Sequence, residues 1–213
     1  VLNLYGAYTS KAAQLFSVYF LLLSSIFFSM KFSILSVALL GCMLLFNAFT
    51  LPNAPREKGK INWVSITEAI DLAKQEPRKI IVDVYADWCG WCKKMDKTTF
   101  QHPDIAEYIN EKYYAVKFDA EYKQPITVGA ETFKYRSDAR GGVHELALTL
   151  LEGQINLPSV VVLDHKLSKL TIIPGYMEPV DMDKALRYFG DGYYDKNIKW
   201  GVFEKNFRSN LGR

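Results

Sequence analysis

Cys89 and Cys92, in the run Trp88-Cys89-Gly90-Trp91-Cys92, are spaced to form and break a disulfide within one turn of chain. The chain has 3 cysteines, and the third, Cys42, lies in an apolar N-terminal stretch. A disulfide-stapled scaffold needs several pairs at longer spacings. One pair closing so small a loop removes little chain entropy and stabilises little. The spacing therefore points to chemistry, in which one thiolate attacks a disulfide and the neighbouring thiol resolves the product. A Cys-x-x-Cys is also half of many zinc sites. Such a site needs a second pair or suitably spaced histidines. No other cysteine remains outside the leader, and His102, His144 and His165 are far apart in sequence. No metal ligand is assigned, and no cofactor is expected beyond the Cys89–Cys92 disulfide itself. A copper or zinc carrier that binds through two thiolates without turnover stands as the alternative. The histidines read as surface or capping residues, with His144 the one to follow because it sits at a helix start.

The elements on either side must position this pair. Lys79-Ile80-Ile81-Val82-Asp83-Val84-Tyr85-Ala86 is almost continuously apolar, the pattern of a strand buried on both faces. It runs directly into the motif, and Lys93-Lys94-Met95-Asp96 continues it as a helix. A helix beginning at Cys89 gives that sulfur unpaired N–H groups and the positive end of the macrodipole, both of which favour the thiolate. Cys89 is then expected to be the exposed nucleophile and Cys92, inside the first turn, the more buried resolving thiol. Asp83 is an acid amid core residues. Burial raises a carboxyl pKa toward neutrality, which suits it to take the proton of Cys92. An acid on a solvated strand edge is the plainer alternative, and Ile81, Val82 and Val84 favour burial.

Further elements complete an α/β pattern. Ser65 and Glu68 form a capping-box pair ahead of apolar positions Ile66, Ala69, Ile70 and Ala73, so a helix runs to about Gln75 and Pro77 ends it. A short helical face at Ile105, Tyr108 and Ile109 precedes a strand over 113–119. Ile126-Thr127-Val128 and Thr132-Phe133-Lys134-Tyr135 suggest a hairpin around Gly129-Ala130-Glu131. A helix carrying Leu146, Leu150 and Leu151 comes after Gly141-Gly142. Leu157 to Asp164 reads as a strand with Pro158 at its start, where a missing N–H is tolerated. Leu167 to Ile173 is its antiparallel partner. Met182, Ala185, Leu186 and Phe189 mark a helix, and Trp200, Phe203 and Phe207 a last amphipathic turn or two. Strands alternating with helices, then a terminal hairpin, imply a mixed central sheet flanked by helices.

Of the 213 residues, 49% are hydrophobic and 23% charged, which allows one packed domain plus an extension. The formal charge of +3, without a basic stripe interleaved with aromatics, gives no reason to expect a nucleic-acid partner. Residues 1–50 hold two apolar stretches, read as a signal peptide or membrane anchor. Met30-Lys31 before an apolar run resembles the start of a secretory signal, so translation is expected to begin at Met30. Ala48-Phe49-Thr50 offers a cleavage site, and Leu39-Leu40-Gly41-Cys42 resembles a lipoprotein box that would lipidate Cys42. Each version exports the remainder of the chain, to the periplasm or to a membrane facing it, and leaves this segment as the sole membrane contact. Residues 51–60 read as a linker. Residues 61–213 read as one domain with a helical C-terminal extension.

The run from Val82 to Lys93 resembles the active-site strand and turn of the thioredoxin-like superfamily. Three features agree: Trp-Cys-Gly-x-Cys-Lys, an acid six residues before the first cysteine, and Leu157-Pro158-Ser159 entering a later apolar strand. The resemblance runs from about Ile61 to Phe189. It implies a thioredoxin fold, with Cys89 as nucleophile, Cys92 as resolving thiol, Asp83 as the buried acid and Pro158 as a cis-proline against the dithiol. It also implies that the Leu157 backbone pairs with a substrate strand, and that Trp88, Gly90 and Trp91 border the bound substrate. The activity implied is thiol–disulfide exchange, with protein disulfide or dithiol substrates and an upstream electron donor as partners; reduction of protein disulfides is the first reading, and Gly90-Trp91 leaves the direction of electron flow open. Trp91 in place of the usual proline, a longer region 121–141 and the tail beyond Phe189 make the chain more similar to exported bacterial thiol:disulfide interchange proteins than to cytosolic thioredoxin.

Overall fold

A parallel pair of strands at the middle of a five-stranded sheet organises the chain. The computed structural model describes residues 59–138 and 141–211. The readings of the leader, Met30 and Cys42, and most of the linker, lie outside the described residues. Among the described residues no helix is long and apolar enough to cross a membrane.

Strand β1 (Trp63–Val64) leads into α1 (Ile66–Gln75), β2 (Lys79–Tyr85) and α2 (Gly90–Met95). A five-residue π-helical turn, Asp96–Phe100, prolongs α2 before α3 (Pro103–Lys112) and β3 (Tyr113–Asp119). Two small hairpins come next, β4 (Ile126–Val128) with β5 (Glu131–Phe133), and β6 (Tyr135–Asp138) with β7 (Gly141–His144). Then come α4 (Glu145–Leu150), β8 (Ser159–Leu163), β9 (Lys169–Pro174), α5 (Pro179–Gly190) and α6 (Trp200–Asn206).

The main sheet has the order β1-β3-β2-β8-β9. β3 runs parallel to β1 and β2, while β8 runs antiparallel to both β2 and β9. Alternation sorts the residues of β2 between two layers. Ile81 joins Met95, Phe100, Ile105, Ile109, Met182 and Leu186 under α2, α3 and α5. Ile80, Val82 and Val84 join Ile66, Ala69, Leu146 and Leu150 under α1 and α4. Full burial of each large aliphatic side chain contributes about 1.5–3 kcal/mol, so β2 is held from both faces. This is the thioredoxin fold.

Local signals explain the boundaries. The Ser65 hydroxyl accepts from the Glu68 N–H at 3.1 Å, closing the start of α1. Pro103 and Pro179 each open a helix, where their missing N–H costs nothing. Beyond α5, Tyr188 meets Phe189, Trp200 and Phe203 at ring-centroid distances of 5.0–5.2 Å, so an aromatic cluster holds α6 on the domain.

The structure differs from the sequence expectation between residues 121 and 144. Tyr135 belongs to a second hairpin, not to the first. Tyr135 pairs with His144 and Arg136 with Val143, so Gly141-Gly142 is strand rather than a helix lead-in. A Cβ on Gly142 would stand 2.5 Å from the Arg136 carbonyl oxygen, and this close approach is what needs glycine. β1 is also additional, too short at two residues to show a periodicity.

Candidate active site

The end of β2 delivers the cysteines. The Cys89 N–H donates to the Ala86 carbonyl at 3.0 Å, closing a turn that sets Cys89 as the N-cap of α2. Cys89 and Cys92 form a disulfide with Cα atoms 5.3 Å apart. The Cys92 backbone N–H donates to Cys89 Sγ at 3.1 Å. An N–H so placed at a helix start can donate to a thiolate on Cys89 once the disulfide is opened.

The expectation of an exposed Cys89 is corrected for the oxidised state. The two residues are 5% and 4% exposed, so both are buried in the oxidised state. They form a small cluster with Ala86, against which Tyr85 and Leu157 pack. Tyr85 from the end of β2 and Leu157 from just before β8 together supply the cover.

Pro158 reaches this place through register. Ser159 pairs with Val84, so the residue before it lies beside the C-terminal end of β2. The Leu157–Pro158 peptide bond is cis. The Pro158 carbonyl accepts from the Gly175 N–H at 2.8 Å, which ties the loop to the end of β9. Among the described residues the backbone N–H and C=O of Leu157 have no hydrogen-bond partner. They are available to an added strand, the mode in which an extended peptide extends a sheet edge.

Asp83 is 2% exposed and lies on the face of β2 shared with Ile81. Burial raises its pKa from 3.8 to about 6, against the opposing influence of Lys117. Lys117 is the site residue that sequence reading missed. It pairs with Asp83 across the parallel strands, and its Nζ donates to Asp83 Oδ2 at 3.1 Å. The same ammonium binds Asp96 Oδ1 on the π-helical turn. Burial works against the charge of Lys117, but the two carboxylates outweigh it and its pKa is raised. The rings of Tyr85 and Trp63, 4.9 Å and 5.3 Å from Nζ, complete its surroundings. Asp83 Oδ1 is buried and has no hydrogen-bond partner among the described residues. The acid is thus desolvated and half satisfied, a state that lets it exchange a proton near neutrality. The signal that could have found Lys117 was the pairing of two strands that sequence reading did locate.

The two tryptophans are outermost. Trp88 is 67% exposed and its indole N–H donates to Glu121 Oε1 at 2.8 Å. Trp91 is 58% exposed and its ring lies 5.4 Å from that of Tyr176. Gly90 is exposed, and nothing stands within 4 Å of the position its Cβ would take. His144 is fully buried and serves the fold. Its Nδ1 accepts from the Leu146 N–H at 3.1 Å, so its proton is on Nε2, which donates to the Gln124 carbonyl at 3.1 Å. It caps α4 and anchors the double-hairpin region. His102 and His165 stand outside this cluster. Among the described residues no group of three or more His, Cys, Asp or Glu side chains could hold a metal ion.

Residues 54–142 match a family model named Thioredox_DsbH and described as a protein of unknown function, DUF255. Spermatogenesis-associated protein 20 of Rattus norvegicus is 32% identical over 75 residues, which cover 35% of this chain. The aligned part is only 10% of that relative's length, so the match concerns one segment of a much larger protein. The disulfide bond reductase DsbH of Chlamydia pneumoniae is 27% identical over 106 residues, covering 42% of this chain and 61% of that protein. Among solved structures, a thioredoxin-fold protein from Helicobacter pylori superposes with a TM-score of 0.46 at 19% identity, covering 60% of this chain and 78% of that one.

Proposed function

We propose that this thioredoxin-fold chain is an exported thiol–disulfide oxidoreductase that reduces protein disulfides through Cys89 and Cys92. The observation that carries the reading is the Cys92 N–H directed at Cys89 Sγ within a Cys-x-x-Cys disulfide at the start of a helix. Likeness to a protein named as a disulfide bond reductase supports the direction. Export rests on the apolar run after Met30-Lys31.

The cycle begins with both cysteines reduced. The Cys89 thiolate attacks one sulfur of a substrate disulfide. A Cys89–substrate disulfide forms, and the other substrate sulfur leaves as a thiolate. Cys92 then gives its proton to Asp83 and attacks Cys89 Sγ. The Cys89–Cys92 bond forms, and the second substrate sulfur leaves and takes the proton held by Asp83. The first substrate thiolate takes its proton from water, so two electrons and one proton pass from the protein to the substrate, and an upstream dithiol must return them. Substrate lies as an extended strand on Leu157, with Pro158 closing the side of the dithiol and Trp88, Gly90 and Trp91 at its edges.

Insulin reduction driven by dithiothreitol tests the reading. Wild type accelerates precipitation of the insulin B chain and Cys89→Ser does not. A Cys92→Ala variant accumulates a mixed disulfide on Cys89, visible by mass spectrometry. Equal rates for wild type and Cys89→Ser would remove the reading.

A further inference from the structure

The disulfide lies between two unlike flanks. On one side Trp88 is tied to Glu121, with Asp87 exposed beside it. On the other, Trp91 leans on Tyr176 and the Lys94 ammonium stands over both rings, 4.9 Å and 4.5 Å from their centroids. The Tyr176 hydroxyl shares a hydrogen bond with that of Thr98 at 3.0 Å, and Gly175 is bonded to Pro158. The Lys94 cation is therefore held in place by groups from the cysteine helix and from the loop after β9. Lys93 and Lys97 are exposed close by in the chain. Trp91 links this flank directly to the cysteines on either side of it. The Gly175–Pro158 bond sets Tyr176, the next residue, close to the Leu157–Pro158 edge along which a chain would dock.

A rigid aromatic wall with a fixed cation suits one ligand chemistry. Flat rings cover an extended chain at little entropic cost. An ammonium over ring faces is already oriented and keeps its outer N–H groups for an anion. The opposite flank, with Asp87 and Glu121, repels that same anion. We infer that the Trp91–Lys94–Tyr176 wall is a specificity site selecting disulfide substrates whose extended segment carries a carboxylate side chain near the reacting cysteine, on the Trp91 side. This deepens the reductase reading and rests on it. Like-charge repulsion at Lys94 excludes segments with a basic residue there.

Four peptides joined through their single cysteine to a small thiol test this, with Glu or Lys two residues before or two residues after that cysteine. Hydroxyethyl disulfide serves as an uncharged reference substrate. At one of the two positions wild type prefers Glu over Lys by about fivefold in kcat/KM, the scale of one exposed ion pair. In Lys94→Glu the preference inverts, and in 1 M salt the wild-type preference falls toward one. No preference at either position, or a preference that Lys94→Glu leaves in place, overturns the inference alone if hydroxyethyl disulfide is turned over. If wild type reduces none of these substrates, the reductase reading itself fails. The inversion is a ratio within one variant, so a general loss of folding cannot mimic it.

Discussion

Lys117 Nζ stands 3.1 Å from Asp83 Oδ2, joining two neighbouring parallel strands by an ion pair whose acid is buried and whose base reaches outward. Asp83 is not relieved by this partner. Burial still holds its pKa near 6, above the ordinary 3.8. The folded state therefore binds the Asp83 proton more tightly than the unfolded chain. Stability from this group is fully present below about pH 4 and is lost as pH rises through 6. Denaturant unfolding of the oxidised protein at pH 4 and pH 7 checks it. The stability of Asp83→Ala relative to wild type grows by about 2–3 kcal/mol between those pH values, and a constant difference contradicts the assignment.

Lys117 itself lowers the Asp83 pKa through charge and a hydrogen bond. Lys117→Gln removes the charge, and the carboxyl then titrates higher than in the wild type. Titration of the Asp83 side-chain carbon by NMR reads this directly. A downward movement would mean that Lys117 is not the dominant opposing charge.

Gly190, the last residue of α5, is a packing requirement. A Cβ there would stand 2.6 Å from the Tyr108 hydroxyl and 3.1 Å from that of Tyr113. Neither hydroxyl is free to retreat, because Tyr108 donates to Asp191 and Tyr113 to the Leu186 carbonyl. Overpacking costs about 1–3 kcal/mol. Helix propensity favours Ala over Gly by up to about 1 kcal/mol, which does not cover that cost. Gly190→Ala lowers the urea midpoint with little change in the slope of unfolding.

His144 fastens the region between β3 and α4. His144→Ala removes the cap on Leu146, the bond to Gln124 and a fully buried ring. The loss is about 2–3 kcal/mol. Limited proteolysis shows faster cleavage within residues 121–144, where the anchor is gone, than elsewhere in the chain.

Legibility in the sequence tracks the range of the interactions involved. Strand β3 and the helix opening at Ile66 were legible because hydrophobic period and a capping serine act over a few residues. Asp83 was legible because an acid in an apolar strand is locally anomalous. Lys117 was not, since a lysine at an alternating strand position is ordinary until the strand is paired. Burial of Cys89 was missed because part of its cover, Leu157, comes from 68 positions away in the chain. The second hairpin was missed because Gly141-Gly142 signals a break, and only the approach of the Arg136 backbone shows that Gly142 is there as close-packed strand.

The registry of β2 has one more consequence. Asp83 faces Lys117 on one neighbour and Val160 on the other, and Val84 faces the serine next to Pro158. Side chains alternate, so sliding β2 by a single residue would turn the carboxylate to the opposite layer and present Val82 or Val84 to Lys117. The cysteine motif would survive such a slip intact, while Asp83 and Pro158 would no longer stand where the present register puts them. Under the proposed reductase cycle, turnover would count the correctly threaded molecules of a refolded population, in cases where helix content and overall size would score every molecule the same.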